Sequence, residues 1–481
     1  VSDPARLGQR LAALRRARDE ATGPLDLAAG SSTFLAADPG IARVGSRRDL
    51  IRRTEDLARR LADAVGGEWI RGTVGGYVRV EQPSIVLPLD RARLSRLPDF
   101  CPEGAPLVCL DTETTGLATG PGTVAFLVGV GTWVGDRFEQ VQLLLPDHAE
   151  EPALLDALAD AIPADAWLVT YNGRGFDWPL LVARYRMSRR PPPVHAGHLD
   201  LLPFVRRIFR HRLTDARLRT VEAELLGVER GRDVEGWEIP GRYLDFLRGG
   251  PAAPLAEVVR HNHEDVRSLA RLLAHAVARF GDPGERRFAP VGDLAGLGRA
   301  YRRLGQTEDA LACFDLALEA RVRPARLVRS WTAILTTRAD EPGPAATPGR
   351  DDRDTLLVDR ARLLRRLGRH DEALEAWLDL GRGGGRWAGV GWIEVAKILE
   401  HRRRDPAAAL EACGRATRIV ERARLIGQRL PLLETDLARR RRRLDRRVAA
   451  ARPPNPSRGR LPATLPARPA RVAEVAGSIG A

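Results

Sequence analysis

Between residues 98 and 282 the order of apolar segments leaves few folds open. Residues 107–110 form a short apolar run that ends in Asp111, 125–130 form a second, and 138–145 a third that begins with alternating residues. Turn-length connections join the three, which predicts an antiparallel meander. Residues 151–162 then show amphipathic helical spacing, 167–171 read as another buried strand, and 178–187 resume helical spacing. Mostly helical segments follow from 201 to 280. Three strands, helix, strand, helix is an α/β order. Upstream, 5–20 and 48–65 have helical spacing, with Gly66 and Gly67 closing the second. Residues 68–90 read as short strands around a turn at Gly75 and Gly76.

The breaker cluster at 281–290, with Asp282-Pro283-Gly284, is the best boundary in the chain. Beyond it a pattern repeats. Leu304-Gly305, Ala310-Leu311 and Phe314 recur as Leu367-Gly368, Ala373-Leu374 and Trp377, with a weaker copy at Ala409-Leu410 and Cys413. Leu311 and Leu374 are 63 residues apart and Leu374 and Leu410 are 36 apart, near two and one periods of about 34 residues. A Pro-, Gly- and Asp-rich stretch at 340–354 reads as a loop in the longer interval. These helix pairs look like tetratricopeptide repeats, with a generic helical bundle as the alternative. The expected organisation is a helical and short-strand region (1–97), an α/β domain (98–282), helical repeats (290–449) and a disordered Pro- and Arg-rich tail (450–481).

Composition excludes several classes. No apolar stretch approaches the roughly 20 residues a membrane span needs, and the first thirty residues lack a signal-peptide core. The four cysteines, Cys101, Cys109, Cys313 and Cys413, have no zinc spacing, which fits a reducing, cytoplasmic compartment. Lys397 is the only lysine and no glycine motif precedes it, so there is no Walker-type nucleotide site. The other 76 basic residues are arginine, and with the lone Met187 this fits a GC-biased bacterial genome, with Val1 matching a GTG start. The net charge of +14 is a tail property: residues 401–481 carry +13 of it.

The chemistry-bearing residues are carboxylates. Asp111 and Glu113 lie two apart at a strand end, so both project from one face. Asp177 opens a helix directly after a strand, and Asp265 lies within the long helix at 255–280. A cluster of hard carboxylate oxygens suits Mg²⁺ or Mn²⁺ over zinc. Two such ions can stabilise the attacking and leaving oxygens of an in-line phosphoryl displacement.

These residues resemble the DEDD superfamily of ribonuclease H-like nucleases. DTETTGL at 111–117 matches its first motif, NGRGFD at 172–177 the second and HNHEDV at 261–266 the third. The wider likeness, over about 98–280, is to the YprB-like ribonuclease H-like family, carried also by TGLATGPGTVAFLVGVG, HLDLLPFVRRIF and GRDVEGWEIPGRYLDFLRGG. It implies a ribonuclease H-like mixed sheet with flanking helices, followed by tetratricopeptide-like helices. It also implies that Asp111, Glu113 and Asp265 coordinate two catalytic metal ions, with Asp177 supporting them directly or through water. The histidine subclass places its fifth residue where this chain has Arg260, and the tyrosine subclass where it has His261. His261 therefore sits in tyrosine register with histidine chemistry, either as the base for the attacking water or as a neighbour of the metals.

Around this set, Asp200 reads as a helix N-cap, with an approach to the metal site as the alternative, and Phe176, Trp178 and Trp237 read as core aromatics, with base stacking as the alternative. Residues 184–219 hold ten arginines against Asp200 and Asp215, and residues 439–443 are all arginine. Either surface can follow a phosphate backbone, with a solvated arginine face as the alternative. Contacts to nucleic acid are expected from Thr112, Thr115, Gly116, Arg184, Arg206, Arg207 and Arg210. The expected activity is metal-dependent 3′→5′ exonucleolytic cleavage of single-stranded DNA or RNA ends, with a protein partner possible at the helical repeats. The rival is a non-catalytic scaffold built on a vestigial nuclease fold.

Overall fold

The computed structural model of the protein describes residues 47–116, 122–231, 233–322 and 353–451. The expected helix at 5–20, Leu117, most of the 340–354 loop and the tail from 452 lie outside the described residues. The chain divides into two compact units, Val1–Arg53 and Thr54–Ala481; apart from the first residues of the first helix, the features that follow lie in the second.

Helix α1 (Arg47–Val65) buries Leu57, Ala58, Leu61 and Ala62, one stripe at helical spacing, and stops at Gly66, whose φ of +67° suits a residue without a Cβ. A hairpin of β1 (Glu68–Gly72) and β2 (Gly75–Val86) follows, paired Gly72 to Gly75. After the short α2 (Arg91–Ser95) come β3 (Leu107–Thr114), β4 (Ala125–Val134) and β5 (Arg137–Leu144). These three are the expected antiparallel meander. Helix α3 (Glu151–Asp160), β6 (Trp167–Thr170), α4 (Asp177–Met187), β7 (Gly197–Asp200) and α5 (Leu201–Ile208) continue the α/β order. The seven strands form one mixed sheet in the order β1-β2-β5-β4-β3-β6-β7, with β3–β6 and β6–β7 parallel and the rest antiparallel.

Strand β3 is central and buried on both faces. Leu107 and Cys109 join one core with Val169, Leu199, Val266 and Leu269, whereas Val108 and Leu110 join a second with Val128, Leu154, Leu180 and Leu181. The period of two carries this alternation past the apolar run, so Asp111 and Glu113 share the first face and Thr112 the second.

Across the first face lies α8 (Pro254–Phe280), reached through α6 (Leu218–Val221), a π turn (Glu222–Leu226) and α7 (Ile239–Leu247). Its approach depends on Gly129, which pairs with Asp111 in the β3–β4 register. A Cβ there would fall on Oδ1 of Asn262 and within 2.8 Å of Val266. The glycine lets the helix lie close enough to reach the carboxylate end of β3.

The chain then becomes helical: α9 (Val291–Arg303), α10 (Thr307–Val322), α11 (Arg353–Arg366), α12 (His370–Gly383), α13 (Ala388–His401), α14 (Pro406–Leu425) and α15 (Pro431–Ala451). Each packs on the next, and their core is continuous with the first face of the sheet. Polar ties reinforce the junction. Asp293, fully buried, accepts from Arg212 at 2.9 and 3.1 Å and meets His211 Nε2 at 2.7 Å.

Three details differ from the sequence reading. The β1–β2 hairpin, read as part of a separate N-terminal region, belongs to the same sheet through the pairing of β2 with β5. Strand β7 is only four residues long and has no apolar run to announce it. Trp237 is not in the core: it is 73% exposed.

Candidate active site

Four segments build the site. Strand β3 supplies Asp111 and Glu113 from the face under α8, and Thr112 from the other. Asp177 stands at the first turn of α4, where the helix dipole favours an acid. Thr112 donates its hydroxyl to Asp177 Oδ1 at 2.5 Å, fixing that carboxylate from the β3 side. The Asn172–Asp177 loop is shaped by Asp200, whose carboxylate accepts from the amides of Asn172 at 2.8 Å and Arg174 at 3.3 Å. It also caps α5 through Leu202 N at 3.1 Å. Asp200 is therefore an N-cap that also orders the second motif.

Helix α8 brings His261, Asn262 and Asp265. Asn262 is fully buried, and its Oδ1 accepts from Gln142 at 2.8 Å, which turns Nδ2 toward Asp111 Oδ2 at 2.9 Å. Asp265 and His261 are one turn apart on α8 and meet at 3.7 Å through His261 Nε2, which also lies 3.9 Å from Glu113 Oε1. The other ring nitrogen, Nδ1, lies 2.9 and 3.0 Å from the two oxygens of Asp233. An ionised carboxylate only accepts, so Nδ1 carries the hydrogen, and in the neutral ring Nε2 keeps its lone pair toward the acids.

The electrostatics reflect crowding of like charge. Burial, then Asp265, Asp177 and Glu113, pushes the Asp111 carboxyl well above its ordinary range, against the Asn262 hydrogen bond. Burial, then Asp265, Asp177 and Asp233, does the same to Glu113. Asp177 is raised to about 6 by burial, opposed by the Thr112 hydroxyl. Burial would also raise Asp233, but His261 and Arg230 hold it below the usual value. Arg230 is the internal cation: it pairs with Glu222, Asp233 and Asp265 while only 7% of its side chain is exposed.

Asp111, Glu113, Asp177, His261 and Asp265 thus converge. Among the described residues, no three His, Cys, Asp or Glu side chains form a ready metal-ligand group. The donor chemistry nevertheless fits a hard divalent ion: oxygen donors, half-buried to buried, and mutually repelling in a way a cation relieves. Thr115 is engaged with Val124 backbone at 2.9 and 3.0 Å, and Thr114 Oγ1 donates to Gly116 O at 2.7 Å. Arg184 makes a two-pronged pair with Glu151 at 2.6 Å, and Arg207 pairs with Asp99. Arg206 and Arg210 are exposed and form no salt bridge among the described residues. His263 lies 3.8 Å from Glu264 through Nε2, and burial pushes it down to about 4.

Sequence reasoning missed Arg230, Asp233 and Asn262. Asn262 was readable as the residue between two site residues of α8. Arg230 and Asp233 lie in an irregular stretch whose only signal is the charged string within GRDVEGW.

The chain is similar to known proteins over this region. A family model described as RNase_H superfamily matches residues 108–277. The Bacillus subtilis (strain 168) protein YprB is 30% identical over 312 residues, covering 63% of this chain and 67% of YprB. Among the described residues no helix is long and apolar enough to cross a membrane. The chain belongs to the ribonuclease H superfamily, within the family of YprB.

Proposed function

We propose that the chain is a divalent-metal-dependent nuclease that removes nucleotides from the 3′ ends of single-stranded DNA or RNA. The observation that carries this reading is the meeting of Asp111, Glu113, Asp177 and Asp265 from three separated segments, Asp177 buried and the others half-buried, and mutually repelling. Asp111, Glu113 and Asp265 would hold two Mg²⁺ or Mn²⁺ ions, with Asp177 supporting them directly or through water. Bound there, the ions would supply Lewis-acid stabilisation of the attacking and leaving oxygens of a phosphodiester. His261 takes the water's proton on Nε2, its ring oriented through Nδ1 by Asp233. Arg230 holds Asp265 by one oxygen and leaves the other toward His261.

The proposed track for the strand comprises Thr112, Thr115 and Gly116 of the first motif and the arginines Arg184, Arg206, Arg207 and Arg210. Trp237, four residues beyond Asp233 and exposed, offers a ring on which a base can stack. The C-terminal helices, read as tetratricopeptide-like, would dock a protein partner in the cytoplasm. One observation favours the rival non-catalytic scaffold: Arg230 already neutralises Asp265 without any added ion.

Incubating the purified chain with Mn²⁺ and DNA or RNA labelled at either end separates the two. Mononucleotide release from the 3′ end is expected. Binding without cleavage of any substrate would establish the scaffold instead.

A further inference from the structure

A second charged site lies far along the chain, in the helical region. Between α11, α12, α13 and α15 a cavity of about 560 Å³ opens, lined by Arg365, Arg366, Lys397, Arg402 and Arg440, with His370 and the single acid Glu394. That volume is within the roughly 300–1,000 Å³ of small-molecule sites. Glu394 engages Arg365 at 2.8 Å and Lys397 at 2.7 Å, which leaves a large positive excess. Arg366 and Arg402 are exposed and form no salt bridge among the described residues.

The floor of the cavity is built, not merely charged. Arg440 is 7% exposed and is held by Glu400 at 2.8 Å, yet its Nε has no hydrogen-bond partner. Nδ1 of His370, on the same lining, is also buried without one. Both atoms are closed off from solvent, so the groups that can reach a bound anion are the side chains of Arg365, Arg366, Lys397 and Arg402 above them.

We infer that this cavity is an anion site for the phosphate groups of a nucleic-acid strand, separate from the carboxylate site. Guanidinium groups match phosphate oxygens in pairs, and four of the five cations here are arginine. An acidic protein segment fits less well, because peptide grooves rely on apolar anchors, and the one aliphatic side chain on the lining, Ile398, is itself only 3% exposed. A free nucleotide offers the same phosphate chemistry. The choice of a strand over a nucleotide rests on the nuclease reading above.

The test is binding of a fluorescent twelve-nucleotide strand to the full chain in EDTA, where no divalent ion is present and turnover plays no part. Arg366→Ala with Arg402→Ala should weaken binding about tenfold and, at about 0.7 per lost contact, lower the log–log salt slope by about 1.4. Arg418→Ala with Arg422→Ala, an equal charge loss on exposed residues of α14, should change neither. Equal losses in both double variants, or no loss in the first, would overturn the site. Displacement of the strand by a nucleoside monophosphate at equal phosphate concentration would reassign it to free nucleotides, and stronger displacement by poly-glutamate would reassign it to a protein segment. Because the assay needs no catalysis, an inactive carboxylate site would leave its outcome intact.

Discussion

Both carboxylate oxygens of Asp233 reach Nδ1 of His261, at 2.9 and 3.0 Å, while Nε2 of the same ring faces Glu113 and Asp265. One side chain from an irregular loop thereby sets the tautomer of another on a helix, and with it which nitrogen can take a proton.

His261→Ala should lower single-turnover cleavage by about 10²–10⁴, the usual worth of a positioned base, with metal affinity little changed. His261→Tyr should recover part of the loss. Asp233→Asn, which can present a donor to Nδ1, should cost about 10–100-fold, the scale of an orienting partner. Cleavage by His261→Ala at the parental rate across pH would remove the histidine from the mechanism.

Asp177 gives a pH-dependent stability effect. Its carboxyl stands at about 6 in the folded protein against an ordinary 3.8. A raised acid destabilises the fold above the folded value, and that penalty is relieved as pH falls toward the unfolded value. The difference corresponds to about 3 kcal/mol between pH 7 and pH 4. In EDTA, Asp177→Asn should melt above the parent at pH 7.5 and level with it near pH 4. Mn²⁺ should raise the parent's melting temperature and reverse the order. A variant that melts below the parent in EDTA at pH 7.5 contradicts the crowding of charge.

Gly129→Ala should destabilise by about 1–3 kcal/mol, the range for overpacking, because its Cβ meets Asn262 and Val266. Activity should fall further than stability alone explains, since Asn262 would be displaced from Asp111. Denaturant melts paired with turnover at low temperature measure both, and an unchanged melt would refute the close approach.

Glu400 anchors α13 to α15 through Arg440, Arg443 and Arg447, with contacts from 2.7 to 3.3 Å. The Arg443 hydrogen bonds, opposed by burial, hold its carboxyl down at about 2. Its contribution is present above pH 4.5 and lost as pH falls through 2. Glu400→Gln should cost about 3 kcal/mol at pH 7, the low end for a broken buried pair, since it leaves buried Arg440 only its 3.5 Å contact with Asp436. Thermal melts at pH 7 and pH 3 should show the deficit shrinking at the lower pH; a constant deficit would argue against the ion-pair origin.

Much of this architecture was legible because its signals are local. The meander, α4 and α8 follow from apolar period, and the carboxylates lie on the strand β3, at the start of α4 and within α8. The roles of Arg230 and Asp233 were not legible, because they lie in a loop with no period and act on α8 across 28 and 35 residues of chain. Asn262 was hidden for a different reason: its partners Gln142 and Asp111 come from two strands, and only the register at Gly129 brings them together. Trp237 misled in the opposite direction, since a large aromatic beside apolar segments reads as core.

The most direct measurement is cleavage of 5′-labelled single-stranded DNA and RNA by the full chain, with Mn²⁺ or EDTA, for the parent and for Asp111→Asn and Asp265→Asn. The account predicts Mn²⁺-dependent shortening from the 3′ end by the parent, none in EDTA, and nearly complete loss in both folded variants. Near-parental cleavage by either variant would contradict the assigned carboxylate centre.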